Sequence, residues 1–278
     1  MSNIALITFF LTFFLWWSLI LLFERYMGMQ PLIAKNDAFN ELDDKNNTEL
    51  IYRKSSKSLD KNGEFRIILK PSLYFAKAIA FFMLFMIGLY PFIDGNPSEY
   101  VRLFFKFDES VIKLPFVQIA SATILSWYLF EIIALMQYYK IQWSTVIHHW
   151  LTAFAAIIVL LGVFTPAAIL YGIIMVALSF PLPLLQASRL FIGFKHPVFI
   201  KKAHIVLSNY YKILLIICIG LQLLMLIHGI TTGAYSNLYI ATIIFCICGW
   251  CYDDLQVVKS LKHGAKRKYA QLDLQKLK

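Results

Sequence analysis

Glu131 sits inside an apolar run from 115 to 139, and two adjacent histidines, His148 and His149, open the next apolar run. A carboxylate beside an imidazole is the arrangement of general-base and nucleophilic catalysis, because the acid orients the ring that takes a proton or carries an acyl group. Ionised carboxylates inside a bilayer cost about 2.5 to 3.5 kcal/mol on an insertion scale, so Glu131 is expected to face inward, paired or protonated, with His148 or Arg189 as partner. Residues 148 and 149 are about 100° apart on a helix, so one ring is expected to face the interior and the other the wall or the mouth. At least one of the two should point toward Glu131. In the first turn after Ser144 and Thr145 the helix N-terminus disfavours the cationic imidazole, leaving a neutral base.

The elements that must position these groups are membrane helices. The chain has 278 residues, 59% of them hydrophobic and 15% charged, and its mean hydropathy is +0.66. That is too apolar for a soluble domain of this size. Runs long enough to cross a hydrocarbon core, roughly 20 residues, fall at 4–23, 73–93, 115–139, 145–164, 166–188, 207–228 and 236–257. Segments such as "AAIIVLLGV" do not alternate as barrel strands would, so the expected class is all-α, a polytopic protein with seven transmembrane helices. Of the 26 Lys and Arg residues, all but Arg102, Lys106 and Lys113 fall on one side of that topology. The bias places the N-terminus outside and the C-terminus in the cytosol.

The organisation expected along the chain is an uncleaved anchor helix at 1–33, a cytosolic polar linker at 34–72, a membrane domain at 73–262 and a basic tail at 263–278. The sequon at Asn46 lies in the cytosolic linker, where glycosylation does not occur. Thr165 and Pro166 read as the cap and first position of a helix, making a tight hairpin with the one before. Pro181 and Pro183 then break it, either facing an internal pocket or as a packing kink. The net charge of +10 reads as topology plus attraction to anionic headgroups, densest at "KRK" 266–268, and not as nucleic-acid binding. Four cysteines, Cys218, Cys246, Cys248 and Cys251, read as packing residues. With six histidines and Thr145 where an HxxHH box needs His, diiron chemistry is disfavoured. A lone zinc on His148, Glu131 and Asp253 is geometrically feasible but nothing supports it, and no cofactor is expected.

The polar residues of the spans gather at the cytosolic end. Glu131 lies roughly 12 Å deep and His148 about 5 Å deep, with Gln186, Arg189, Ser208, Asn209, Lys212, Asp253 and Asp254 at neighbouring helix ends. This pattern resembles the TLC family, the TRAM, Lag1 and CLN8 homology domain, in which an acid in one helix precedes a His-His pair opening the next. The resemblance lies in "SWYLFEIIALMQYYKIQWSTVIHHWLTAFA", "SFPLPLLQASRLF" and "GWCYDDLQVVKS", and covers about residues 73–262. It implies a six-helix barrel around a long cavity open toward lipid and cytosol, here preceded by the anchor helix. It also implies that His148, His149 and Glu131 carry any catalysis, while Gln186, Arg189, Asn209, Lys212, Trp250 and Asp253 contact lipid or its headgroup.

In the ceramide synthases of that family an acidic element follows the His pair, whereas here no Asp or Glu occurs between Glu131 and Asp253. The resemblance is therefore to TLC proteins outside the ceramide synthases. It implies binding or handling of an acyl chain or phospholipid and an influence on membrane lipid composition. Two alternatives stand: an acyltransferase using acyl-CoA as substrate, and a non-catalytic lipid-binding subunit of a larger membrane complex. The partners expected are membrane lipids and, for the last reading, membrane proteins; the compartment is the endoplasmic reticulum, with the mitochondrial inner membrane as alternative.

Overall fold

The computed structural model describes residues 2–28, 63–98, 102, 111, 113–138, 143–163, 169, 171–185, 197–233 and 237–276. Among these there are helices and turns and no strand. The α-helices are α1 (Asn3–Gly28), α2 (Gly63–Gly88), the short α3 (Tyr90–Ile93), α4 (Pro115–Tyr138), α5 (Trp143–Leu160), α6 (Pro197–Thr231) and α7 (Asn237–Lys276), with a π-helical segment at Gly172–Ala177. Asn46 and the linker up to residue 62, residues 99–101, 103–110 and 112, the Thr165–Pro166 start, Gln186 and Arg189 lie outside the described residues.

Three stretches are long and apolar enough to cross a membrane: Asn3–Phe23, Pro115–Ala134 and Lys202–Thr231. Leu73–Gly88, Val146–Leu160 and Ile174–Leu185 are apolar but shorter. The helices overrun the expected boundaries in several places. α2 starts at Gly63, and α7 continues through residue 262 to Lys276, so the basic tail up to that residue is one helix with the apolar stretch before it. At 40 residues α7 is about 60 Å long, twice a hydrocarbon core.

α4 is the central helix. Residues 121–128 are all buried, and so are Phe130, Glu131, Ile132 and Ala134, which is the pattern of a helix enclosed on every side. It packs against α1, α2, α5 and the π-helical segment. α1 runs parallel to it. The Thr12 and Ser126 hydroxyls are 2.7 Å apart, Trp16 donates its indole N–H to Ser126 Oγ at 3.1 Å, and the Trp16 and Trp127 rings meet edge to face at 5.5 Å. The expected anchor is thus bonded into the bundle along one face, while Ile7, Leu11, Phe14, Leu21 and Leu22 project outward from the other. α2 runs antiparallel to α4, as Lys77–Glu131 and Tyr90–Phe116 require. α5 is antiparallel to α4 (His149–Glu131 with Val159 beside Val117), α7 to α5 (His148–Asp253 with Leu151 beside Gly249) and α6 to α7 (Tyr211–Asp254 with Leu226 beside Ile243).

α5 ends at Leu160 in a Schellman motif: Gly162 has φ +94°, its N–H bonds Val159 O at 3.0 Å, and Val163 N–H bonds Ile158 O at 3.1 Å. The break expected at Pro181 and Pro183 is present: over 171–185 the chain runs as the π-helical segment, a turn at 179–180 and a helical turn at 181–185. The proline pair accounts for the division. Leu182 N–H bonds Ser179 O instead of its helical acceptor Leu178 O, and Tyr210 from α6 donates its hydroxyl to that carbonyl at 2.8 Å.

Candidate functional site

Two adjacent acid and base pairs in the sequence become one buried cluster because α5 and α7 each sit between two neighbours. On α5, positions about 100° apart face α4 and α7 respectively. His149 Nε2 lies 3.6 Å from Glu131 Oε2, and His148 Nδ1 lies 3.6 Å from Asp253 Oδ2. Both rings are buried, 4% and 7% exposed, so the expectation that one would face the wall or the mouth is corrected: the helix is packed on both sides. α5 begins at Trp143, which puts the histidines in its second turn and not its first. The start two residues earlier than expected carries them about 3 Å deeper, nearly half of the expected gap to Glu131.

Among the described residues the nearest partner of Glu131 is not a histidine, and the other expected partner, Arg189, lies outside them. Lys77 from α2 places Nζ 2.7 Å from Oε1, and Trp127, one turn earlier on α4, donates its indole N–H to Oε2 at 2.8 Å. The usable signal was a lone cation four residues inside an apolar run, where a charge must find a counter-charge.

α7 repeats the division made by α5. Asp253 faces His148, while Asp254, 1% exposed, accepts hydrogen bonds from Tyr211 at 2.7 Å and Tyr171 at 3.1 Å. Tyr171 stacks on Trp250 with centroids 4.2 Å apart and meets the His148 ring edge at 6.1 Å. Tyr128 on α4 lies against both imidazoles, at 5.1 Å from His149 and 6.2 Å from His148. Three carboxylates, one lysine and two imidazoles are therefore joined through tyrosine and tryptophan rings. The Nδ1 atoms of both histidines and Trp250 Nε1 have no hydrogen-bond partner among the described residues.

Of the expected headgroup contacts, Asp253 and Trp250 belong to the cluster. Asn209 and Lys212 do not: they lie on the exposed face of α6, whereas Ser208 and Tyr211 take the inward face of the same helix. Tyr171, Tyr211 and Tyr128 went unread because an aromatic in an apolar helix carries no sign of what its hydroxyl meets. Among the described residues no three His, Cys, Asp or Glu side chains converge as metal ligands.

Beside the cluster, between α4, α5 and the π-helical segment, lies a partly open pocket, about 650 Å³ of space when its open mouth is included. Its wall is apolar, with Ala120, Ile124, Ala155, Ala156, Val159 and Ile169 among the lining residues. Thr152, Tyr171 and Trp250 close the end next to the cluster, and Thr152 Oγ1 is tied to His148 O at 2.9 Å. Gly88, Phe116 and Val117 line the other end. A site of this form can hold a hydrocarbon chain with its polar end presented to acids, imidazoles and a lysine. In comparison with known proteins the chain matches no family model, no curated protein and no solved structure.

Proposed function

We propose that this chain is a TLC-type membrane protein with seven crossings, N-terminus outside and C-terminus cytosolic, that binds an acyl-chain lipid within the bilayer. The carrying observation is the apolar pocket whose inner end, formed by Thr152, Tyr171 and Trp250, abuts the Lys77–Glu131–His149 and His148–Asp253 groups. The alternating helix directions and the one-sided Lys and Arg distribution support the crossing count. Lipid handling in the endoplasmic reticulum, with an effect on membrane lipid composition, is the reading that joins this pocket to the residue pattern. The test is extraction in mild detergent followed by lipid mass spectrometry. Retained lipid well above that of an unrelated seven-span protein is expected; retention no greater than that control overturns the reading.

A second reading is favoured by the carboxylate beside each histidine. In acyl transfer from acyl-CoA, His149 would take the proton of an acceptor hydroxyl or amine as its oxygen or nitrogen attacks the thioester carbonyl. The carbon–sulfur bond breaks, the ester or amide bond forms, and the imidazolium returns the proton to the CoA thiolate. Glu131 holds the ring, and 3.6 Å is a separation that shortens when the ring becomes charged. Product from a panel of acyl-CoA and lipid acceptors should vanish when both histidines are changed to Ala; undiminished product removes these roles.

A further inference from the structure

The pocket has a closed end and an open one, and the exposure of its walls tells them apart. Next to the cluster, Thr152, Tyr171 and Trp250 are 3%, 4% and 2% exposed. The half-buried lining residues are Ile87, Gly88, Phe116 and Ala120, and all the others are buried. Ile87 and Gly88 end α2, while Phe116 and Ala120 belong to the first two turns of α4. The mouth therefore lies between the adjoining ends of α2 and α4, at the end of the pocket away from the cluster.

The surface beside that mouth is apolar. Phe82 and Met86 on α2 and Tyr90 just beyond it follow at four-residue spacing and are 47%, 46% and 46% exposed, a stripe along the outside of the helix up to the opening. Tyr90 also stacks on Phe116 at 5.7 Å, so an aromatic pair edges the mouth on the α4 side. Apolar side chains on the outside of a membrane helix are solvated by hydrocarbon. A chain passing from there into an apolar pocket strips no polar group of water, so the passage carries no desolvation cost.

The depth of the mouth fixes the leaflet it serves. Gly88 is about 16 Å along α2 from Lys77, and Phe116 about 22 Å along α4 from Glu131. One leaflet of a hydrocarbon core is about 15 Å deep, half of the ~30 Å total. The mouth and the Lys77–Glu131 ion pair thus belong to opposite leaflets.

We propose that the pocket is loaded through the gap between α2 and α4 by an acyl chain of a lipid in the leaflet at the Gly88 end, which in the proposed topology is the non-cytosolic leaflet. This deepens the lipid-binding reading and rests on it. Gly88 is the point at which the route can be narrowed, because a Cβ added there meets nothing within 4 Å and a larger side chain extends into the mouth without disturbing the helices.

The test uses the full chain in phosphatidylcholine vesicles, its orientation read by protease access to the charged end of α7. A phosphatidylcholine carrying a diazirine near the end of one chain is exchanged into a single leaflet, activated by light, and its crosslinks are mapped residue by residue by mass spectrometry. Crosslinks at the buried wall residues Ala155, Ala156 and Val159 should form when the probe is in the Gly88 leaflet and be absent when it is in the other. Gly88→Leu should lose most of these interior crosslinks while exposed Phe82 stays labelled as in the wild type. Interior crosslinks that form equally from either leaflet, that form only from the Lys77 side, or that persist undiminished in Gly88→Leu overturn the route while leaving lipid binding intact. Interior crosslinks from neither leaflet overturn the underlying reading instead. Thermal unfolding of Gly88→Leu within a few degrees of the wild type shows that the fold is kept; if it unfolds early, Ala120→Leu at the same mouth carries the comparison.

Discussion

Replacing Lys77 by Met tests whether the Glu131 cluster is an electrostatic unit. Glu131 is 5% exposed and has three neighbours: the Lys77 ammonium at 2.7 Å, the Trp127 N–H at 2.8 Å and His149 at 3.6 Å. Removing one partner of a buried ion pair costs about 3 to 5 kcal/mol, because the remaining charge is stranded. Lys77 is 21% exposed along its side chain and Trp127 continues to donate, so the lower end, about 3 kcal/mol, is expected. Glu131→Gln should cost only about 1 kcal/mol: the amide still accepts from Trp127, and a partly exposed lysine can turn its ammonium outward. The double variant strands no carboxylate and should therefore be more stable than Lys77→Met alone. At about 2 to 4 °C per kcal/mol for a chain of this size, Lys77→Met should unfold about 10 °C early. A thiol-reactive dye read during heating in detergent reports the transition through Cys218, which is 1% exposed. Equal losses for the two single variants, or a double variant less stable than Lys77→Met, would refute the stranded-charge argument.

The other pairings make independent predictions. Tyr211→Phe should destabilise by about 2 kcal/mol and Tyr171→Phe by about 1 kcal/mol, since the first removes the shorter of two bonds to a buried carboxylate; thermal scans giving the reverse order would count against the assignment. Ser126→Ala deprives Trp16 and Thr12 of their partner on α4 and should cost about 1 to 2 kcal/mol, read as faster amide exchange along α1. A Cβ on Gly249 would sit 2.6 Å from the tip of Leu151, so Gly249→Ala should be absorbed by a Leu151 rotation. Gly249→Leu should instead force α5 and α7 apart, at about 2 kcal/mol or more in the same scans.

How much of this was legible in the sequence depends on what kind of signal each residue carries. Hydropathy is additive along the chain, so the helical class and the positions of α1, α4 and the apolar part of α6 followed from runs of apolar residues. Helix ends did not follow, because α7 continues as a charged helix to Lys276 after its apolar run has ended, and periodicity loses its contrast where both faces are polar. The His-His pair was readable as a cost: two imidazoles in an apolar run must be satisfied somewhere. Which way they point was not, because that depends on α5 having a neighbour on each side. The angle between adjacent positions excludes a common target but not a common interior.

The same reasoning explains why Asp253 and Asp254 part company on α7, one meeting His148 and the other two tyrosines. Where a helix packs between two neighbours, an adjacent polar pair reaches both and ties three elements together. α5 does this between α4 and α7, and α7 does it between α5 and α6. These two pairs, with Lys77 on α2, connect five of the chain's helices through charges that could not remain in hydrocarbon alone. The arrangement places the polar cluster at the single junction those helices share, against the inner end of the apolar pocket. A group built only to fix helix register has no need of that position, which is what the proposed lipid-binding reading requires.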